Sequence, residues 1–94
     1  MSYLAKNYNR KKISFEYGKG AYLFSKNKKK YLDFVQGIAV NSLGHAHPKL
    51  VETIRNQSQK LWHVSNAFQI PEGEKLAQKL CKKTFADYVI FQNS

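Results

Sequence analysis

Three histidines, His45, His47 and His63, are the residues of this sequence whose type most readily suggests a metal site. His45 and His47 alternate within GHAHP, and an extended backbone with a period of two would place both rings on one side. However, no Cys, His or carboxylate lies close enough in sequence to complete a known zinc-ligand spacing. The pattern favours loop histidines that cap a helix or bind the backbone, and it predicts no metal site.

The sequence also shows no pattern that is typical of nucleophilic catalysis. An activated serine or cysteine needs a paired base, and the sequence shows neither such a pair nor a nucleophile motif. The single cysteine, Cys81, falls in the apolar stripe of a predicted helix, so we interpret it as a core residue. One cysteine cannot form an internal disulfide framework, which is typical of a cytoplasmic protein. The residues therefore assign no catalytic side chain.

The charge is strongly basic, since 16 Lys and Arg oppose 6 Asp and Glu for a formal charge of +10. Such an excess suits nucleic acid, an anionic surface or anionic ligands, but it also arises from lysines on solvated faces. A small basic RNA-binding module is therefore an alternative function. Against it, the sequence lacks the motifs of RNA-recognition and KH domains. Tyr22, Phe24 and Tyr31, at strand spacing, are better explained as core residues.

The length and composition indicate one small globular unit. The chain has 94 residues, 43% of them hydrophobic, which suffices for one modest core. No segment approaches the roughly 18 unbroken apolar residues of a membrane helix, and the first residues lack the apolar centre of a secretory signal. These features predict a cytoplasmic α/β protein with no membrane partner.

Hydrophobic patterning predicts the elements that position these residues. Residues 1–12 are polar and basic, typical of a loosely held arm. Two short strands then flank a polar turn over Ser25–Lys30, and their apolar residues are Tyr22, Phe24, Tyr31 and Leu32. After Asp33 the pattern becomes aperiodic, and Gly37 and Gly44 mark a loop.

Two amphipathic helices and a final strand follow the loop. Each helix begins at a proline, where the missing N–H costs nothing: one spans 48 to about 61, and the other begins at Pro71. The predicted buried stripe of the second helix is Leu76, Ala77, Leu80 and Cys81. Tyr88–Phe91 is a continuous apolar run, typical of a strand covered on both faces. Such a strand needs neighbours, so we expect a cut through a larger domain.

Three segments, in order, resemble one known family. GKGAYLFSKNKKKYLDFVQGIAVNSLGHAHPKLVETI, QSQKLWHVSNAF and VIFQNS are similar to the start of class III, pyridoxal-phosphate-dependent aminotransferases. The resemblance extends from about Gly18 to Ser94. It implies the N-terminal part of an α/β fold of type I. Residues 1–70 would form an arm with the hairpin and helices of the small domain, and residues 71–94 would begin the large cofactor domain with its first strand.

The resemblance also implies a substrate pocket. In the family, GIAVNSLGHAHP leads into a helix and partly lines the pocket, so Ile38 matches a gatekeeper position and His45 is a structural histidine of the loop. HVSNAF matches a second pocket segment, where Ser65 and Asn66 are either wall residues or loop caps. The implied pocket residues are Ile38, Val40, Asn41, Ser65 and Asn66.

The implied activity depends on residues beyond these motifs. VIFQNS resembles the strand before the family's phosphate-binding turn, so Ser94 is implied to bind the phosphate of pyridoxal 5'-phosphate. The Schiff-base lysine and the other catalytic residues come later in the family, so the 94 residues alone are expected to be inactive. The resemblance implies a homodimeric enzyme of arginine or lysine biosynthesis. It would move an amino group between N-acetylornithine, or a related ω-amino donor, and 2-oxoglutarate.

Overall fold

The computed structural model describes residues 2–93. Ser94, the predicted phosphate ligand, therefore lies outside the described residues. The chain forms two compact units, one ending at Gln59 and the other beginning at Lys60. The first unit contains a small sheet, a tight loop and a helix, and the second contains a longer helix.

A three-stranded antiparallel sheet in the order β1-β2-β3 forms the base of the first unit. Its strands are β1 (Phe15–Lys19), β2 (Tyr22–Ser25) and β3 (Lys30–Leu32). The pairing of β2 with β3 confirms the predicted hairpin and its polar turn. Strand β1 was not predicted, because the register shifts between Phe15 and Tyr17 and this bulge interrupts the alternation that identifies a strand.

Aromatic side chains contact one another across the strands. Tyr17 stacks on Phe24 with ring centroids 4.5 Å apart, and Phe15 meets Tyr31 edge-on at 5.5 Å. Nevertheless, no hydrophobic side chain of residues 2–93 is buried, and Tyr22 is 38% exposed. The prediction that the hairpin aromatics form a core is therefore wrong, because a core needs a second layer packed on the sheet.

Within residues 2–93, a left-handed turn, α1 (Gln36–Ala39), and two right-handed helices, α2 (Pro48–Ser58) and α3 (Pro71–Lys83), follow the sheet. Both right-handed helices begin at the predicted prolines, and α2 ends three residues before its predicted end. The Nδ1 of His47 accepts the N–H of Lys49 at 3.3 Å, which confirms that a loop histidine caps this helix. Within residues 2–93, no helix is long and apolar enough to cross a membrane.

The second unit exposes most of its apolar residues. Leu76 and Leu80 of α3 are 49% and 38% exposed, and Cys81 is half-buried, so the predicted buried stripe is wrong. Residues 88–91 form no strand, which also contradicts the prediction. A strand is defined by its hydrogen bonds to a neighbour, and within residues 60–93 no segment supplies that neighbour.

Candidate functional site

The loop after β3 is organised around the carboxylate of Asp33. Its Oδ1 accepts the N–H groups of Val35 and Gln36 at 3.0 and 2.9 Å. Its Oδ2 lies 2.7 Å from Nε2 of His45. The N–H of Asp33 also donates to the Ala21 carbonyl at 2.8 Å, which ties the loop to the hairpin. Aspartate suits this position because its short side chain reaches N–H groups two and three residues further on.

The environment of Asp33 favours its ionised form. Its side chain is 7% exposed and that of His45 is 19% exposed. The hydrogen bond from the Gln36 N–H lowers the pKa of Asp33 most, followed by the bond from His45, while partial burial opposes them. An ionised carboxylate only accepts hydrogen bonds. We therefore assign the shared hydrogen to Nε2 of His45, which donates it to Asp33.

His45 is held at its backbone as well as at its ring. Its N–H and carbonyl both pair with Gly20, at 2.8 and 3.0 Å. Two glycines make this approach possible. A Cβ at Gly18 would lie 2.5 Å from Cγ of His45, and a Cβ at Gly44, where φ is +81°, would lie 2.9 Å from the Gly20 carbonyl oxygen. The expectation that His45 is a structural residue of the loop is confirmed.

Between Asp33 and His45 the chain makes one left-handed helical turn, α1 (Gln36–Ala39). The φ angles are 54°, 63°, 61° and 61° at Gln36, Gly37, Ile38 and Ala39. The N–H of Ala39 donates to the Val35 carbonyl at 3.0 Å. Left-handed backbone costs roughly 1–2 kcal/mol per non-glycine residue, and a β-branched residue such as Ile38 rarely adopts it. Backbone of this kind persists only where its surroundings hold it, and it clusters at ligand sites.

The turn brings together the three pocket residues predicted in the first unit. Ile38 and Val40 are 87% and 76% exposed, so their apolar side chains are available to a ligand or to another segment. Asn41 is half-buried. Its N–H donates to the Gln36 carbonyl at 3.0 Å, and its carbonyl accepts the N–H of Gly44 at 2.8 Å. Asn41 therefore closes the turn at the backbone.

Two cavities adjoin this loop, with volumes of about 210 and about 620 Å³. Asp33, Asn41 and His45 line both of them, whereas Ile38 and Val40 line neither. The larger cavity is mainly apolar, and its lining includes rings from β1 and β3. The polar pair thus lies at the base of an apolar groove, where fixed hydrogen bonds can orient the loop without offering a free nucleophile.

Ser65 and Asn66, the other predicted pocket residues, belong to the second unit. The hydroxyl of Ser65 accepts the N–H of Ala67 at 3.1 Å, and its carbonyl accepts the N–H of Phe68 at 3.0 Å. Ser65 therefore caps a local turn, which is one of the two roles expected of it. Asn66 is exposed in the same turn.

Sequence analysis did not identify Asp33 as the centre of the loop. A signal was present, because an aspartate before an aperiodic stretch is a common turn initiator. The partner at residue 45 could not be deduced from that signal, since the two residues are 12 apart in sequence. Likewise, the glycines at 18 and 20 have no local pattern that indicates contact with a histidine.

Comparisons with known proteins agree with one another. A model of the family described as Aminotransferase class-III matches residues 3–94. Acetylornithine aminotransferase 1 of Bradyrhizobium diazoefficiens is 55% identical over 85 residues, which covers 90% of this chain and 21% of that protein. The crystal structure of acetylornithine aminotransferase from Elizabethkingia anophelis matches 92% of this chain and 22% of its own, with a TM-score of 0.84 and 30% identity.

A third relative is described with its cofactor. The ornithine aminotransferase of Toxoplasma gondii, crystallised with oxidised glutathione, has PLP at partial occupancy in its active site. It matches 82% of this chain and 19% of its own, with a TM-score of 0.71 and 28% identity. The chain therefore spans about a fifth of the length of the relatives it matches.

Proposed function

Since the chain belongs to the class-III aminotransferase family, we propose that it forms the N-terminal part of an acetylornithine aminotransferase. The complete enzyme transfers an amino group between N-acetylornithine, or a related ω-amino donor, and 2-oxoglutarate. The observation that carries this proposal is the 55% identity over 85 residues with the Bradyrhizobium acetylornithine aminotransferase. The fold supports it, because the small antiparallel sheet and helices match the Elizabethkingia enzyme.

The proposed organisation follows the same resemblance. Residues 1–70 contribute an arm and part of the small domain, and residues 71–94 begin the large domain. The enzyme is proposed to be a cytoplasmic homodimer of arginine or lysine biosynthesis. A small RNA-binding module has only the basic charge in its favour, and part of that charge is engaged locally. Nζ of Lys30 lies 3.8 Å from the centroid of the Tyr22 ring.

The family depends on pyridoxal phosphate, which supplies an electron sink for the chemistry when bound. The proposed phosphate ligand, Ser94, lies outside the described residues, and residues 88–93 form neither a strand nor a helix. The described residues thus do not form a cradle for this group, and we derive no chemical step through it. They are suited instead to shape the pocket that receives the donor.

Ile38 is the residue that we propose to discriminate among donors. Its side chain projects from the left-handed turn and is 87% exposed, so a larger residue can be placed there without displacing buried neighbours. Val40 and Asn41 are proposed as pocket residues beside Ile38, and the family resemblance separately proposes Ser65 and Asn66 as pocket residues. Because preference is a difference in transition-state binding, a change of side-chain volume alters the ratio between donors.

The function is tested by assaying the complete enzyme for glutamate formation from N-acetylornithine and 2-oxoglutarate. Turnover supports the proposal, and its absence with every ω-amino donor contradicts it. The 94 residues alone are the control. They should neither form glutamate nor, after borohydride reduction with pyridoxal phosphate, carry stoichiometric label on one lysine. Turnover by this segment together with such labelling would refute its assignment as part of a larger enzyme.

The Ile38→Tyr variant of the complete enzyme tests the pocket. We expect the ratio of kcat/KM between N-acetylornithine and ornithine to change by about tenfold or more, which is typical of a volume change in a specificity pocket. Thermal stability should change little, because the side chain is exposed. An equal loss of kcat/KM for every donor would show that Ile38 does not discriminate.

A further inference from the structure

We propose that Asp33 and His45 act as a positioning pair that sets the donor preference of the site by holding the left-handed turn that carries Ile38. This inference rests on the proposed aminotransferase function and deepens it. Neither residue is proposed to touch substrate. Their role is to fix the backbone from which the discriminating side chain projects.

The pair encloses the turn. One oxygen of Asp33 accepts the N–H of Gln36, the first residue of α1, and the N–H of Val35 just before it. The other oxygen accepts from His45, which follows the turn, at 2.7 Å. A single carboxylate thus binds the chain before the turn, at its start and after its end. Without it, the ends of the turn are joined only by the turn's own backbone bonds.

The pair is anchored to the sheet. The N–H of Asp33 donates to Ala21, and the backbone of His45 makes two bonds with Gly20. Both partners lie in the connection between β1 and β2. The pair therefore relates the turn to the most regular part of the first unit.

The position of Ile38 depends on its backbone. Its side chain is 87% exposed, so side-chain packing within residues 2–93 does little to position it. Its backbone lies in the left-handed region, which an isoleucine does not favour. The position of its side chain consequently depends on whatever holds the backbone, and Asp33 and His45 hold it at both ends.

The test uses the complete enzyme with Asp33→Ala, His45→Ala and the double variant. We expect each single substitution to change the ratio of kcat/KM between N-acetylornithine and ornithine by about tenfold, since small misplacements of pocket residues have large effects. The double variant should match the larger single effect, because the two residues act as one unit. An unchanged ratio in both single variants, or additive effects in the double variant, would overturn the proposal.

Ser25→Ala is the matched control. Ser25 is buried at 7% exposure, and its hydroxyl donates to the Lys29 carbonyl at 3.2 Å, so its loss also removes side-chain hydrogen bonds from the first unit. It lies at the end of β2 and makes no described contact with α1. We expect lower stability with an unchanged donor ratio. A ratio that shifts as it does in Asp33→Ala would show a general effect of destabilisation and would overturn the positioning role.

Amide hydrogen exchange in the complete protein separates this inference from the proposed function. The N–H groups of Val35 and Gln36 should exchange at least about tenfold faster in Asp33→Ala, because their acceptor is lost. Asp33→Asn keeps the oxygen that accepts these two N–H groups and should restore most of their protection. Unchanged exchange in Asp33→Ala overturns the positioning pair whatever the enzyme's activity. Faster exchange in a protein that turns over no donor refutes the proposed function. In that case the pair only stabilises the loop, and its proposed role in donor preference is overturned.

Discussion

Different interactions dominate two regions of the chain: the loop from Asp33 to His45, and the second unit, which begins at Lys60. The loop has polar contacts at both ends, and these contacts, with the backbone bonds of the turn, hold a left-handed backbone. The second unit has one regular helix and large apolar side chains that remain exposed, among them Phe85 at 99% and Tyr88 at 93%. Hydrogen bonds determine the geometry of the first region, whereas the second displays apolar surface still to be covered.

The difference shows which interactions can act within a short segment. A carboxylate and a few N–H groups can determine a loop without a hydrophobic core, because each bond has a direction and a short range. Apolar burial is not directional and needs area removed from water. Tyr88–Phe91 cannot obtain that area from residues 60–93, so it forms no strand there. In the proposed enzyme, the remaining four-fifths of the protein would supply it.

Among the substitutions that compare the two regions, Gly44→Ala in the loop should have the largest effect on stability. The new Cβ would lie 2.9 Å from a backbone oxygen of Gly20, and φ is +81°. Strain alone costs roughly 1–3 kcal/mol, and the clash with backbone adds to it. We expect a fall of several degrees in the Tm of the complete enzyme. Gly20→Ala is the control, since φ is +56° and nothing lies within 4 Å of its Cβ. If both variants lose equal stability, close approach at Gly44 is not the cause.

Acidification should have an intermediate effect on the stability of the loop. Because folding lowers the pKa of Asp33 below its ordinary value of 3.8, the folded state binds fewer protons at this residue than the unfolded state. The stability from Asp33 is therefore present above that value and is lost as the pH falls through the lowered one. The Tm of the complete enzyme, measured from about pH 6 to about pH 2, should decline less in Asp33→Asn than in wild type. The control variant is Asp87→Asn, because Asp87 is exposed. An identical decline of the Tm in Asp33→Asn and wild type would contradict the prediction.

The smallest effect on stability is expected from a substitution in the second unit, and it should be a gain in stability. Gly73 lies in the first turn of α3, and an added Cβ would meet only Ile70 at 3.6 Å, an ordinary contact. Gly73→Ala should stabilise the protein by about 0.4–1 kcal/mol by restricting the unfolded chain. Urea unfolding of the complete enzyme measures this gain. Destabilisation would indicate that the neighbouring surface is covered by another part of the protein.

Local patterns predicted the elements that depend on near neighbours in sequence. Pro48 and Pro71 mark the starts of both helices, and His47 caps the first of them, because a cap involves residues only one or two positions apart. The polar turn between β2 and β3 was predicted for the same reason. By contrast, β1 was missed, since its pairing with β2 and its bulge depend on a partner strand.

Local residue patterns were sufficient to predict the hairpin, the helix starts and, through the motifs, the family. The contact between Asp33 and His45, which are 12 residues apart, and the left-handed backbone of Ile38 depend on the folded chain and could not be predicted from these patterns. The physical reason is that local preference opposes such a backbone at a β-branched residue. The contacts that oppose this preference come from Gly20 of the β1–β2 connection, which pairs with His45, and from the carboxylate of Asp33 just after β3.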